Sequence, residues 1–414
     1  MIWIVLIVIA STGIALWRPL YGLSAIIVLW PTYLLRTAIV GIPTTTLELA
    51  LYGVTAAVGL RWLLGRESWH WARITRQSWW LLGLWVLAWV VAVIASPARP
   101  AGLGALKAWL VDPLLFAALL SFVVRTAGDR RQIIGAAIIS GATVALAGLA
   151  QLVWFRDTLQ EGRLSSFFAP VANYAAMYLG PLTVLAGALL LFRERNGVWW
   201  WLLGGMSVAL VLTLSFGAYL AVACGLLVAW SQLPSGMIKR RLLQTGIAAV
   251  ILGALIISQT KNFSQHFTFT GRSSGLVRTQ IWVTSWALIQ QHPWFGVGPN
   301  NFEAAYRAEL PKHYFPPLEW LVAQPHNLYL ALWLETGLLG LLTFLALVVY
   351  HFRIVWRDFL PHPENRAVAV ASLAALVTIL IHGLVDTPYF KNDSAMEFML
   401  VAALPWLGRE SLKD

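Results

Sequence analysis

The 414-residue chain is 59% hydrophobic and 11% charged, with a mean hydropathy of +0.72. A soluble domain carries about a quarter charged residues, so this composition excludes a soluble globular protein. The formal charge of +11 does not mark a nucleic-acid binder, because the basic residues fall in short loops between apolar runs.

The chain opens with "MIWIVLIVIASTGIALW". It has no basic residue ahead of the apolar run and no small-x-small cleavage site, so a retained membrane helix is expected rather than a signal peptide. Apolar runs of about 17 to 25 residues then recur to the end, each long enough to cross a bilayer. They are punctuated by basic clusters: Arg61/Arg66/Arg73/Arg76, Arg125/Arg130/Arg131, Arg193/Arg195, Lys239/Arg240/Arg241, Arg353/Arg357/Arg366 and Arg409/Lys413. Neighbouring clusters are separated by enough apolar sequence for two crossings, which puts all of them on the cytoplasmic side. The external segments are then those around 36–43, 96–102, 155–167, Ser215–Gly217, 260–325 and 386–394. The expected architecture is all-α and polytopic, with about a dozen transmembrane helices. It divides into an N-terminal bundle (1–259), one long, partly helical external loop (260–325) and C-terminal membrane helices (326–414). The 23 tryptophans, many near helix ends as at Trp79, Trp80 and Trp199, suit interfacial aromatic belts.

Several chemistries are missing from the sequence. One cysteine, Cys224, allows neither an internal disulfide nor a thiolate metal cluster. There is no HExxH, CxxC, P-loop or Asp-x-Asp motif, so no metal or cofactor is expected and ATP-driven transport has no support. An enzyme working outside the cytoplasm needs a substrate that arrives already activated, and a lipid-linked sugar pyrophosphate is one.

Within the external loop, "SSGLVRTQIWVTSWALIQQHP" places Arg278, Trp282 and Trp286 at i, i+4 and i+8, one stripe of a helix. Pro293 ends that helix, and "FGVGPNNF" supplies turn glycines. "NNFEAAYRAEL" reads as a second helix with an asparagine cap. The chain re-enters the membrane at "AQPHNLYLALWLETGLLG", where His326 and Asn327 are expected at the first helical positions. His326 has two readings: a general base that titrates near neutral pH, or a helix-end histidine that hydrogen-bonds its loop. Glu335, nine residues on, points to the opposite side of the helix and about 13 Å deeper. It is read as structural, paired with a neighbouring helix, with Gly337 and Gly340 permitting close helix approach. Arg278, Arg272 and Arg163 come from separate external stretches. They could form a phosphate-binding cluster or simply face lipid headgroups and water. Lys107 and Asp112 are read as an internal charge pair, with a transport site as the alternative.

Two stretches, "GLVRTQIWVTSWALIQQHPWFGVGPNNF" and "QPHNLYLALWLETGLLGLLTF", together resemble the O-antigen ligase / Wzy-type polymerase superfamily. The shared pattern is an Arg four residues before a Trp, a P-x-x-G-x-G turn, and His-Asn opening a helix that carries E-x-G-x-x-G. "RLSSFFAPVANYAAMYL" and "HGLVDTPYFKNDSAMEF" resemble the family's flanking segments. The resemblance implies a GT-C-like membrane glycosyltransferase of the bacterial plasma membrane with its active site facing the periplasm or exterior. It would transfer a glycan from an undecaprenyl-pyrophosphate donor to a glycan or lipid acceptor hydroxyl. His326 matches the general base, Arg278 the arginine that holds pyrophosphate, and Arg163 a second; Arg272, Asn327 and Trp282 would help bind substrate. Many members carry Ser-Arg-Gly where this chain reads Ser215-Phe216-Gly217, which would shift the grip on pyrophosphate to Arg272 or Arg163, or signal another substrate or, in the extreme case, lost activity. The competing readings are a lipid-linked glycan flippase and a protein O-oligosaccharyltransferase. A flippase would show repeats and ionisable residues along a mid-membrane path, whereas here the distinctive residues concentrate on one external face.

Overall fold

The computed structural model describes residues 2–39, 41–67, 75–159, 161–192, 197–236, 239 and 273–408. Arg272 and the first part of the long loop, 260–272, lie outside the described residues. The chain is mostly helical: α1 (Ile2–Trp17), α2 (Pro19–Val28), α3 (Thr46–Leu63), α4 (Arg76–Ala95), α5 (Arg99–Leu106), α6 (Asp112–Val123), α7 (Ala127–Trp154), α8 (Ala172–Phe192), α9 (Gly197–Leu212) and α10 (Phe216–Ser231) precede the external segment. That segment carries α11 (Ser274–Gln291) and α12 (Phe302–Glu309), and α13 (Leu328–Asp358), α14 (Pro363–His382) and α15 (Asn392–Ala403) follow it. Among the described residues, six helical spans are long and apolar enough to cross a membrane, α5 and α6 counting as one, and four shorter helices are also apolar. This is a multi-pass membrane protein.

Among the described residues, the architecture departs from all-α at one place. Residues expected as an external loop form an antiparallel hairpin, β1 (Arg36–Ile39) with β2 (Ile42–Thr45), in register Arg36 with Thr45 and Ile39 with Ile42. Its β-branched run suits paired strands, and Gly41 at φ +77° makes the turn.

α14 is the centre of the bundle, buried almost throughout and packed on α8 and α10. A helix apolar on every face belongs in the interior, and the small residues of "AVAVASLAALVTIL" let its neighbours come close. At Gly225 in α10 an added Cβ would stand 2.2 Å from Thr378 Oγ1 and 2.6 Å from the Ala374 carbonyl. On the other side of α8, Tyr178 meets the edge of Trp30 at 6.4 Å between ring centres and hydrogen-bonds Ser140 at 2.6 Å.

The interior charges pair differently from the sequence expectation. Lys107 Nζ donates to Glu48 Oε2 at 2.8 Å, not to Asp112, and Asp112 Oδ1 accepts from the Tyr52 hydroxyl at 2.7 Å. Lys107 and Asp112 each find their partner on another element. Glu48 also accepts from Thr44 Oγ1, the Thr45 N–H and Asn392 Nδ2, which ties the hairpin to the start of α15.

Candidate active site

The candidate site lies at one end of the bundle, where five chain segments separated widely in sequence meet. The segment that leads into α8 is pinned to the end of α9, with the Leu164 N–H donating to the Leu212 carbonyl at 2.9 Å. The α9–α10 turn abuts the turn after α14: a Cβ on Gly217 would lie 2.5 Å from Val385 Cγ2. That same turn receives the start of α13, where the Leu328 N–H donates to the Gly383 carbonyl at 2.7 Å. α11 completes the group.

The external segment 273–325 is braced by a small apolar core of its own, including Ile281, Leu288, Phe302, Tyr306 and Val322. It is locked to α13 at a kink. Gly337 interrupts that helix at φ +71°, ψ −179°, a conformation open to glycine and costly for other residues. Into the notch fits the glycine turn 293–300. Trp333 Nε1 donates to the Pro293 carbonyl at 2.7 Å, and the Val297 and Leu338 N–H groups donate to the carbonyls of Leu334 and Trp294. A Cβ on Gly296 would stand 2.1 Å from the Leu334 carbonyl oxygen, and one on Gly337 2.1 Å from that of Trp294. The buried Glu335 accepts from the Asn300 N–H. Glu335 is therefore structural, as expected, but its partner is the loop rather than a neighbouring helix. Gly337 admits loop backbone, and Gly340 faces Thr336 of its own helix.

This brace positions His326. The residue sits one place before the helix cap, in the left-handed region at φ +48°, and not inside the helix as the sequence suggested. Asn327 is the cap: its Oδ1 accepts from the N–H groups of Tyr329 and Leu330, both at 3.0 Å, and its Nδ2 donates to the Leu384 carbonyl at 2.9 Å. These bonds commit both ends of the Asn327 amide to holding the backbone. Trp282 Nε1 donates to the Pro325 carbonyl at 3.1 Å, so it fixes the residue before His326. The expected cap at Asn301 is different: its side chain donates to the Val297 carbonyl and makes no cap bond to α12.

His326 Nδ1 lies 3.2 Å from Asp386 Oδ1. The imidazole is one-third exposed and the carboxylate is buried. Arg278, on α11, donates from Nε to the Val385 carbonyl at 3.1 Å, the residue next to Asp386. Arg163 donates from Nε to the Thr213 carbonyl at 2.9 Å and from Nη2 to Asn173 Oδ1 at 2.7 Å. Burial pulls the Arg163 guanidinium below its ordinary value; Glu161 pushes it up, the charge of Arg278 pulls it down, and Asp386 pushes it up. His326, Arg278 and Arg163 thus share one electrostatic neighbourhood. The arginine missing from the Ser215–Gly217 turn is replaced by Phe216, whose ring meets the edge of Tyr219 at 5.8 Å.

Asp386 was not singled out from the sequence. Burial alone would raise its carboxyl, but the charge and hydrogen bond of His326, with His382 and Lys391 behind them, hold it well below the usual carboxylate range. Lys391 lies in the same turn region with Nζ 3.5 Å from the centre of the Tyr174 ring. Burial lowers that ammonium to about 8, against the opposing pull of Asp386 and Asp393. The signal for Asp386 was a lone acid in "HGLVDTPYF", 60 residues from its partner.

No curated protein matches the chain. Residues 201–345 match the family model described as O-antigen ligase, a stretch that contains Arg278, Trp282, His326, Glu335 and Gly337 but neither Arg163 nor Asp386. The two glycine patterns in that stretch, P-x-x-G-x-G at 293–298 and E-x-G-x-x-G at 335–340, are the two halves of the loop-to-kink lock. On that match, about a third of this multi-pass membrane protein is similar to the O-antigen ligase family.

Proposed function

We propose that the chain transfers a glycan from a polyprenyl-pyrophosphate donor, of the undecaprenyl kind, to a hydroxyl of a glycan or lipid acceptor at the outer face of the plasma membrane. The observation that carries this reading is the His326–Asp386 pair beside the Arg278 guanidinium. Asp386 accepts the Nδ1 proton of a neutral imidazole, which leaves the Nε2 lone pair as the base. The acceptor hydroxyl loses its proton to Nε2 as its oxygen bonds to the anomeric carbon of the donor sugar. The bond from that carbon to the pyrophosphate oxygen breaks, and the electron pair leaves with the pyrophosphate. Asp386 stabilises the imidazolium so formed. Arg278 and Arg163 meet the charge that develops on the leaving group, a task suited to fixed guanidinium groups in a site screened from water. The protein supplies position, a base and electrostatics, and this sequence of steps needs no metal. Trp282 and Asn327 act through the backbone around His326 rather than by touching substrate.

The test is transfer in vitro by purified protein from a polyprenyl-pyrophosphate glycan. H326A and R278A are expected to fold as the wild type and to transfer poorly, and EDTA to change nothing. Unchanged turnover in both variants would remove this assignment. The length distribution of the product separates a single ligation from polymer extension.

A further inference from the structure

At the opposite end of the bundle, two apolar grooves open on either side of α7 and meet at one arginine. The wider, about 750 Å³, passes Tyr21, Ala25 and Val28 of α2 and Ile139 of α7. The narrower, about 100 Å³, passes Ile134 and Ile138 of α7 and Leu189 and Leu190 of α8. Arg131, Gly135 and Trp199 line both. A Cβ on Gly135 would stand 3.4 Å from Trp199 Cη2, so the indole lies across the helix at the junction of the two grooves.

The two arginines at this junction differ in their surroundings. Arg130 is buried and donates to the Leu407 carbonyl at 3.1 Å, whereas Arg131 is exposed and its side chain makes no hydrogen bond or ion pair among the described residues. α2 and α7 run in parallel, with Gln132 Nε2 donating to Ser24 Oγ at 3.1 Å and Ser140 Oγ to the Val28 carbonyl at 3.2 Å. Arg18, six residues before Ser24, therefore stands about 9 Å further toward the same end. Its guanidinium lies 6.0 Å from the centre of the Tyr21 ring, at the entrance of the wider groove. Among the described residues, no aspartate or glutamate lines either groove.

We propose that this junction binds one anionic diacyl phospholipid of the cytoplasmic leaflet. Its phosphate sits on Arg131 and one acyl chain lies in each groove, with Trp199 at the level of the glycerol backbone. Paired apolar channels suit a two-chain lipid and not a single detergent tail. Two unneutralised guanidinium groups favour a headgroup of net negative charge over a zwitterionic one, whose ammonium would face Arg18. Basic pockets between membrane helices on the cytoplasmic side are where such recognition is expected.

The test uses the full-length protein in micelles of a neutral detergent, given an equimolar mixture of phosphatidylglycerol and phosphatidylcholine and read by native mass spectrometry. The wild type is expected to retain one phosphatidylglycerol in preference to phosphatidylcholine. R131Q and R18Q should each cut that preference about fivefold, the effect of about one surface charge near a membrane, and the double variant about thirtyfold. R99Q, at the other end of the bundle, should leave it unchanged. G135L, which keeps both charges but fills the junction, should lose the retained lipid. Equal retention of the two lipids by the wild type, or a preference that survives in the R18Q/R131Q double variant or in G135L, would overturn the proposal.

Discussion

His326 Nδ1 and Asp386 Oδ1 stand 3.2 Å apart across 60 residues of sequence, joining the entry of one membrane helix to the exit of another. The pair exists because the α13 cap and the turn after α14 are stitched together by backbone: Leu328 to Gly383 and Asn327 to Leu384. Replacing the carboxylate by the isosteric amide in D386N keeps the shape but loses the charge that stabilises the protonated imidazole, and its NH2 can offer a donor where the carboxylate only accepts, which no longer selects one tautomer. Turnover should fall by about 10²-fold or more, with donor KM little changed, as measured by initial rates over a donor series. Equal losses in kcat and donor affinity would instead point to a collapsed pocket.

The same pair predicts a pH dependence. The carboxyl of Asp386 is depressed in the folded protein, so it remains ionised throughout the range in which the protein is handled. Its contribution to stability is present above the ordinary carboxylate pKa and is lost only as pH falls through the lower folded value. D386N has no carboxyl to protonate, so its melting temperature should fall less than that of the wild type as pH is lowered below about 4. An identical fall in the two proteins would contradict the depressed carboxyl.

Lys391 sets a second limb. Its folded value near 8 lies below the ordinary lysine value, so burying the ammonium costs stability below about pH 8. That cost is relieved as pH rises from about 8 toward the unfolded value. Thermal stability of the wild type should therefore gain more between pH 8 and 10 than that of K391M, which carries no proton there to lose. Parallel melting curves across that range for the two proteins would contradict the assignment.

Arg278 and Arg163 are expected to differ although both are arginines near one pocket. Arg278 spends only Nε on the protein among the described residues, so its two terminal nitrogens remain for a ligand. Arg163 spends Nε on the Thr213 carbonyl and Nη2 on Asn173, holding the α9 end to the start of α8. R278K keeps the charge but loses the fork, and should lower kcat/KM by about 10- to 100-fold, the scale of one or two charge-assisted hydrogen bonds. Its melting temperature should not move. R163K should lower the melting temperature as well, because two internal bonds lose their donor geometry.

How far the sequence disclosed these features depended on range. Helix periodicity and basic clusters were enough for a multi-pass helical bundle, and the Arg278–Trp282–Trp286 stripe fixed α11 to within a residue or two. The convergence of His326 with Arg278 came from the resemblance, since no local pattern carries a contact across a membrane re-entry. Asp386 was hidden because a single acid in a short turn has no periodicity, and its partner is set by tertiary folding alone. Trp282 and Asn327 were read as substrate contacts because exposed polar and aromatic groups near a site look alike in sequence. The structure gives both to the backbone on either side of His326. Lys107 was mispaired for a related reason: its partner Glu48 lies 59 residues away in the chain, and no local pattern points to it.

The loop-to-kink lock can be tested apart from chemistry. Gly337 combines φ +71° with an approach that leaves 2.1 Å between a would-be Cβ and the Trp294 carbonyl oxygen. G337A would add about 1–2 kcal/mol of left-handed strain, and the steric conflict is with backbone, which cannot rotate away. The turn 293–300 must lift, freeing the N–H of Asn300 from Glu335 and leaving a carboxylate buried without its donor. G337A should therefore melt several degrees below the wild type, and E335Q, which keeps the acceptor oxygen, by less. Gly204 in α9 meets nothing within 4 Å, so G204A should melt at or slightly above the wild-type temperature. Because the lock also carries the segment that positions Pro325 and His326, G337A should lose transfer at temperatures where it is still folded. A G337A protein with wild-type melting and turnover would show that the external segment is held to the bundle by something other than this kink.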